Sequence, residues 1–327
     1  MPDLSTTYMG LSLRNPVIVG SSNLTSRLDE IVAAGEAGAG AVVLKSLFEE
    51  QINADTSKSV GEDSYLAHAE AFDFFKGMGR DYYMDEYLKL VREAKQKISI
   101  PVIASVNAIT DGAWIDYAKS FQDVGADALE LNCFIMPANV KKEGAEIEQR
   151  YFDIVRKVKS LVSIPVSMKI GPYFSSLANM VERLGAEGLD ALVLFNRFYR
   201  PDVDIDRLAI TTGQVFSSSQ EISLSLQWIA LLAGEVDIDL AASTGVHDSA
   251  GVVKQLLVGA NAVQLCSTLY RNGMQHVRKV ITGLEEWMQK HNFEKIGDFC
   301  GRLSREKSER PEVLERSQFI KAQVGIS

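Results

Sequence analysis

One short phrase, met four times, constrains this chain more than anything else in it. Each copy runs from a glycine through a small or apolar residue and a turn residue into alternating apolar positions, and ends on a polar group. The copies are Gly38-Ala39-Gly40-Ala41-Val42-Val43-Leu44 before Lys45, and Gly125-Ala126-Asp127-Ala128-Leu129-Glu130-Leu131 before Asn132. They continue with Gly188-Leu189-Asp190-Ala191-Leu192-Val193-Leu194-Phe195 before Asn196, and Gly259-Ala260-Asn261-Ala262-Val263-Gln264-Leu265 before Cys266 and Ser267. A glycine leading into such a run reads as a helix stop, a tight turn and a buried strand. The polar residue then stands at the carboxyl end of the strand every time, which locates a site before any chemistry is named.

Four further runs read as strands: Pro16–Gly20, Pro101–Val106, Ile164–Lys169 and Val236–Ala242. All eight are rich in Val, Ile, Leu and Ala, as strands covered on both faces should be. Segments between them carry apolar residues at helical spacing, such as Trp114 to Phe121. Alternating strands and helices imply right-handed crossovers and a parallel sheet. Eight such units predict an α/β fold of the (β/α)8 TIM-barrel type. An open doubly wound sheet is the alternative, but no Gly-x-Gly-x-x-Gly follows the first strand. Two stretches exceed a plain connection, residues 51–84 with their aromatic run and residues 197–223 with Ser217-Ser218-Ser219. Both are expected as insertions over the carboxyl end of the strands. The reading is one barrel domain over residues 1–303 and a charged tail over 304–327, taken as solvated surface or an oligomer arm.

Bulk properties exclude several classes. A net charge of −9 argues against nucleic acid or an anionic membrane as the main partner. The spacing of Cys133, Cys266 and Cys300 suits neither a zinc site nor a disulfide framework, which fits a reducing cytoplasm. No signal peptide or membrane-spanning run is evident. The groups after the strands are Ser21-Ser22-Asn23, Lys45-Ser46, Asn107, Asn132-Cys133, Lys169, Asn196, Ser243-Thr244-Gly245 and Cys266-Ser267. Lysines, amides and hydroxyls with few carboxylates suit a flat anionic ligand and suit a divalent metal poorly, so no metal is expected. The last two loops have the order of a barrel phosphate site, or are ordinary small-residue turns. Lys169 at a strand end needs an anionic partner, unless it forms a Schiff base or is a snorkelling surface lysine.

These residues resemble the class 1 dihydroorotate dehydrogenases and, more distantly, the flavin domain of dihydropyrimidine dehydrogenases. The resemblance runs from about Leu4 to Leu303. Asn15-Pro16 with Gly20-Ser21-Ser22, Gly40 to Ser46, Glu130-Leu131-Asn132 and Met168 to Phe174 carry it. Asn196, Ser243 to Val246, Gly259 to Ser267 and Gly283 to Met288 complete it. It implies an FMN-dependent oxidoreductase of pyrimidine biosynthesis that oxidises dihydroorotate, or a related small anionic ring compound, by hydride transfer to flavin N5. It places Gly20 and Ser21 against the flavin ring, and Lys45 and Ser46 on ring and ribityl oxygens with Lys45 also near substrate. Asn107 meets the flavin edge, and Asn132 sits between flavin and substrate. Lys169 neutralises the reduced ring, and Gly213 lies near the ribityl-phosphate chain. Thr244, Gly245, Cys266 and Ser267 cradle the phosphate. Asn196 faces the substrate. A homodimer is expected by analogy, with the electron acceptor open among fumarate, a nicotinamide and a partner protein.

The substrate half departs from the family pattern. The family's Asn-Leu-Ser-Cys-Pro-Asn loop, whose Cys is the base, is replaced by Asn132-Cys133-Phe134-Ile135-Met136-Pro137-Ala138-Asn139. Cys133 is the nearest thiol and the candidate base, although strand alternation turns it away; the alternative is a buried structural thiol. Asn139 stands in for the loop's second asparagine. Arg197 replaces the Ser or Thr expected after Asn196 and suits an anionic group held bidentately. Two other readings stay open: a flavin-free lyase or aldolase using Lys169 as a Schiff base, and a flavin-binding protein without dihydroorotate dehydrogenase activity.

Overall fold

The computed structural model describes residues 1–48, 69–107, 111–197, 201–308 and 311–315. Eight parallel strands close on themselves: Val17–Val19, Ala41–Val43, Val102–Asn107, Ala128–Asn132, Val166–Ile170, Ala191–Leu194, Asp239–Ser243 and Ala262–Leu265. The last strand returns to the first through Val263 beside Val17 and Leu265 beside Val19. The eight runs expected from sequence are these eight strands, and the architecture is the (β/α)8 barrel.

The recurring glycines do what the sequence implies. Gly38, Gly125, Gly188 and Gly259 all have positive φ, between 91° and 110°. In each copy the next residue donates its N–H to a carbonyl five positions back: Ala39 to Ala34, Ala126 to Phe121, Leu189 to Leu184 and Ala260 to Gln255. This is the six-to-one bond of a Schellman helix stop, which satisfies orphan carbonyls and turns the chain toward the barrel.

The third residue of the phrase clamps the start of the preceding strand. Asp127 Oδ2 accepts from Val102 N at 2.7 Å, Asp190 Oδ2 from Val166 N at 2.7 Å, and Asn261 Oδ1 from Leu240 N at 2.9 Å. The same residues donate their own N–H groups to the carbonyls of Val102, Val166 and Leu240. The first copy has Gly40 here, because Asn15 Oδ1 caps Val17 N instead and a Cβ on Gly40 would overlap the Asn15 carbonyl.

Strand residues divide by face. Val42, Leu44, Leu129, Leu131, Val166, Met168, Leu192 and Leu194 point outward into one core shared with the helices. The helix Gly144–Lys159 buries Ile147, Tyr151, Val155 and Val158 against it, a stripe at spacings of three and four. Ile18, Ala41, Val43, Ile103, Ala128, Ala191, Val193, Ala241 and Ala262 fill the barrel interior. An antiparallel hairpin that sequence reading did not foresee, Thr6–Tyr8 with Leu11–Leu13, stoppers the amino-terminal end of the barrel with Tyr8, Met9 and Leu13. Its turn is anchored where Met9 N donates to Asp239 Oδ2 at 2.7 Å.

Of the insertion expected over 51–84, residues 51–68 lie outside the described residues; from Ala69 the chain forms the helix Ala69–Lys97. The second insertion contains an exposed hairpin, Pro201–Asp204 with Ala209–Thr212. The tail begins packed rather than free: Arg305 N donates to Ala230 O at 2.7 Å, and its guanidinium pairs with Glu235 at 3.0 Å. Among the described residues no helix is long and apolar enough to cross a membrane.

Candidate active site

A cavity of about 460 Å³ opens at the carboxyl ends of the strands. Side-chain alternation on the strands brings Lys45, Asn132, Lys169 and Gln264 to it, and loops add Ser21, Ser46, Asn196, Ser243, Thr244, Gly245, Cys266 and Ser267. The cations Lys45, Lys169 and Arg197 line it, and no carboxylate does among the described residues. A neighbouring cavity of about 510 Å³ shares Lys45, Ser46 and Phe48 with it and extends to Tyr83 and Tyr87.

On one wall, hydroxyls form a connected set. Ser46 Oγ lies 3.2 Å from Ser21 Oγ and 2.7 Å from Ser105 Oγ, and accepts from Asn132 Nδ2 at 3.4 Å. Ser46 N donates to Ser21 Oγ at 3.0 Å. Tyr87, buried behind them, brackets Ser105: its hydroxyl accepts from Ser105 N at 2.8 Å and donates to Ser105 O at 3.1 Å. This wall holds its members in place before any ligand arrives.

The floor is charged. Lys169 Nζ donates to Gln264 Oε1 at 2.9 Å, and Gln264 Nε2 donates to Glu130 Oε2 at 2.6 Å. Glu130 is 1% exposed. Burial pushes its carboxyl above the ordinary value, while the Lys169 charge and the Gln264 amide pull it back down. Sequence reading quoted Glu130 and Gln264 but gave neither a role. The available signal was one polar residue at an inward position of each otherwise apolar strand.

The loops after the last two strands meet the 215–217 segment. Ser217 N donates to Ser267 Oγ at 3.0 Å, and Ser217 Oγ lies 3.1 Å from His247 Nε2. Thr244 and Gly245 both have positive φ, and Thr244 Oγ1 donates to Phe195 O at 3.2 Å. A Cβ on Gly245 would overlap the backbone of Glu221 and Ile222, so only glycine fits the turn.

Not every expected residue reaches the cavity. Gly20 lies beneath it, against Gln264, with its N–H donated to Leu265 O at 2.9 Å. Asn107 ends its strand beside Phe48, and Gly213 lies on the chain leading to Val215; neither lines the cavity. Asn139 is exposed, its Oδ1 accepting from Lys141 N at 2.9 Å. Cys133 is buried in the outer core, and burial pushes its thiol up to about 12, so it is held as a neutral thiol that faces no cavity. Arg197 lines the cavity but is engaged by protein: Nε donates to Glu221 Oε2 at 2.8 Å and Nη1 to Val215 O at 2.9 Å. Its second terminal nitrogen reaches Phe216 O at 3.3 Å and Glu221 Oε1 at 3.4 Å. Asn196 is set by two bonds, N–H to Ile170 O at 2.8 Å and Nδ2 to Lys169 O at 3.1 Å.

The dihydroorotate dehydrogenase family model matches residues 3–288. Among curated proteins, the chain is 28% identical to the dihydroorotate dehydrogenase B (NAD(+)) catalytic subunit of Thermoplasma acidophilum, over 92% of this chain and 99% of that protein. It is 25% identical to the protein of the same name from Pyrococcus abyssi, over 91% and 98%. It is 23% identical to the chloroplastic dihydropyrimidine dehydrogenase (NADP(+)) of Arabidopsis thaliana, over 92% and 76%. With the family model spanning most of an eight-stranded barrel whose polar groups converge at the strand ends, the chain belongs to the dihydroorotate dehydrogenase family, oxidoreductases acting on CH–CH groups.

Proposed function

We propose that this chain is an FMN-dependent oxidoreductase that oxidises dihydroorotate or a related small anionic ring compound. The observation that carries the reading is the Lys169 ammonium on the floor of a cavity whose described lining has cations, amides and hydroxyls but no carboxylate. That donor set fits a dianionic phosphate and a heteroatom-rich ring, and the volume lies within the roughly 300–1,000 Å³ usual for cofactor sites. FMN, when bound, supplies the hydride acceptor that side chains lack.

The chain's own groups then divide the work. Ser21, Ser46 and Asn132 would hold ring and ribityl oxygens, since their mutual hydrogen bonds fix where each donor points. Gly20 would let the ring approach the backbone, with Asn107 at its edge and Gly213 toward the ribityl chain. Thr244, Gly245, Cys266 and Ser267 would hold the phosphate through backbone N–H groups, which need no net charge. Lys45 and Lys169 supply positive charge where negative charge develops, and a preformed ammonium costs no reorganisation at that moment. Asn196 would orient the substrate, its amide already fixed by Lys169 O. Among the described lining residues the one thiol is Cys266, in the last strand's loop. The homodimer rests on the family resemblance, and the cytoplasmic setting on the spacing of the three cysteines.

The absorbance spectrum of the purified protein tests the cofactor, with flavin bands expected. Protein that carries no flavin and takes up none on adding FMN overturns the proposal. Anaerobic mixing with dihydroorotate tests the substrate: bleaching of the flavin band supports it, and an unchanged spectrum removes dihydroorotate. Borohydride trapping of a substrate on Lys169 would instead establish the lyase reading.

A further inference from the structure

Glu130 sits in mid-strand in the barrel interior, 1% exposed, with Ser105 and Ser167 beside it in register and alanine and β-branched residues filling the adjoining layers. A buried carboxylate in such a place is costly unless it is paired. Its direct partner is Gln264, bonded through Oε2 at 2.6 Å, and Oε1 has no hydrogen-bond partner among the described residues. Gln264 in turn faces Lys169.

The polarity of this chain of groups is fixed. An ammonium can only donate, so the Gln264 oxygen must face Lys169, and its NH2 then faces Glu130. Reversing the amide would set NH2 against ammonium and oxygen against carboxylate. Gly20 leaves the same side chain the room it occupies, because a Cβ there would stand 3.3 Å from both Gln264 Cβ and Oε1. The three residues come from three separate strands, so a locked amide carries the influence of a buried anion to a cation in the cavity wall.

We propose that Glu130 is a positioning residue for the flavin site: acting through Gln264, it fixes the Lys169 ammonium and offsets part of the positive charge that the ring meets. The proposal rests on the FMN reading above. It gives Glu130 a consequence that a purely structural carboxylate would not have. Deleting its charge favours electron uptake, because the Lys169 charge is then less compensated.

The test is the midpoint potential of the FMN-loaded protein, measured by dye-equilibrated reductive titration, for wild type and Glu130→Gln. The variant keeps an oxygen to accept the Gln264 N–H, removes the charge, and puts its NH2 where Oε1 has no partner among the described residues. Its potential is expected to move to more positive values. A gain of about tenfold in affinity for reduced over oxidised FMN corresponds to about 30 mV for a two-electron couple. FMN binding to both proteins with coincident potentials overturns the proposal and leaves the cofactor reading intact. Failure of wild type to bind FMN overturns the cofactor reading and this proposal with it. Gln264→Met covers the case in which Glu130→Gln does not accumulate. It retains both charges and breaks the link, so the FMN dissociation constant is expected to rise about tenfold with an unchanged circular dichroism spectrum. An unchanged dissociation constant overturns the positioning role.

Discussion

Arg197 is where sequence and structure give opposite forecasts, and one substitution separates them. By residue type it is an anion ligand for substrate; by geometry it is a clasp on the 215–221 segment. Arg197→Ala removes four hydrogen bonds, two to Glu221 and two to the carbonyls of Val215 and Phe216. Bonds to a charged group contribute roughly 1.5–3 kcal/mol each when well buried. Here the arginine side chain is 19% and the glutamate 36% exposed, and two of the four bonds are long. We therefore expect a loss of about 2–3 kcal/mol in urea unfolding, with m unchanged. A double-mutant cycle with Glu221→Ala should return a coupling of about 1 kcal/mol or more. Because Val215, Phe216 and Ser217 line the cavity, FMN affinity should fall about tenfold, with substrate KM little changed once the protein is saturated with FMN. Wild-type stability and FMN affinity combined with a tenfold rise in substrate KM would refute the clasp and restore Arg197 as a substrate ligand.

Three further outcomes are expected. Gly245→Ala should cost about 3 kcal/mol or more, or prevent folding, because the added methyl overlaps the Glu221–Ile222 backbone at a residue already in left-handed conformation; a melting temperature within 2 °C of wild type, roughly 1 kcal/mol or less in a chain this size, would contradict this. Cys133→Ala should leave the rate of flavin reduction within about twofold and cost about 1 kcal/mol of stability, and a hundredfold slower reduction would make the thiol the base after all. Burial holds the His247 imidazole below its ordinary value of 6.5, with Arg271 adding to the depression and Asp248 and Glu221 opposing it. The unfolded chain then binds more protons between that depressed value and 6.5, so stability should fall as pH drops through this window; His247→Gln should flatten the slope, and an unaltered slope would exclude His247 as its source.

The barrel was legible because its signals are local and repeated. A glycine forced to positive φ, a six-to-one helix stop and an apolar run leave little freedom, and all four copies behave alike. The lysine, hydroxyl and amide groups at the strand ends followed from alternation. What stayed hidden depends on contacts between distant segments. Glu130 and Gln264 meet across 134 positions of chain. Arg197 finds Glu221 only when the 197–223 connection folds back. The hairpin at Thr6–Leu13 is short, and its apolar residues show no helical or extended run long enough to read. Alternation turns Cys133 into the outer core and away from the cavity, whereas the family analogy makes it the base.

The side-chain clamps at the strand starts have a consequence at the opposite end of the molecule. Because a strand repeats every two residues, pinning Val166 N to Asp190 decides that Ser167 and Lys169 share one parity and Met168 the other. The clamp on Val102 does the same for Ser105, and the one on Leu240 for Ser243. The amino-terminal end thus sets the phase of each strand, and the residues nearer the site, Ser105, Lys169 and Ser243, inherit it further along. A slip of one residue at Asp190 would exchange an ammonium for a thioether in the cavity without touching any residue that lines it. Within the strands, function is therefore addressed by odd and even positions counted from below, and only the loops beyond them can present neighbouring residues of both parities to the site.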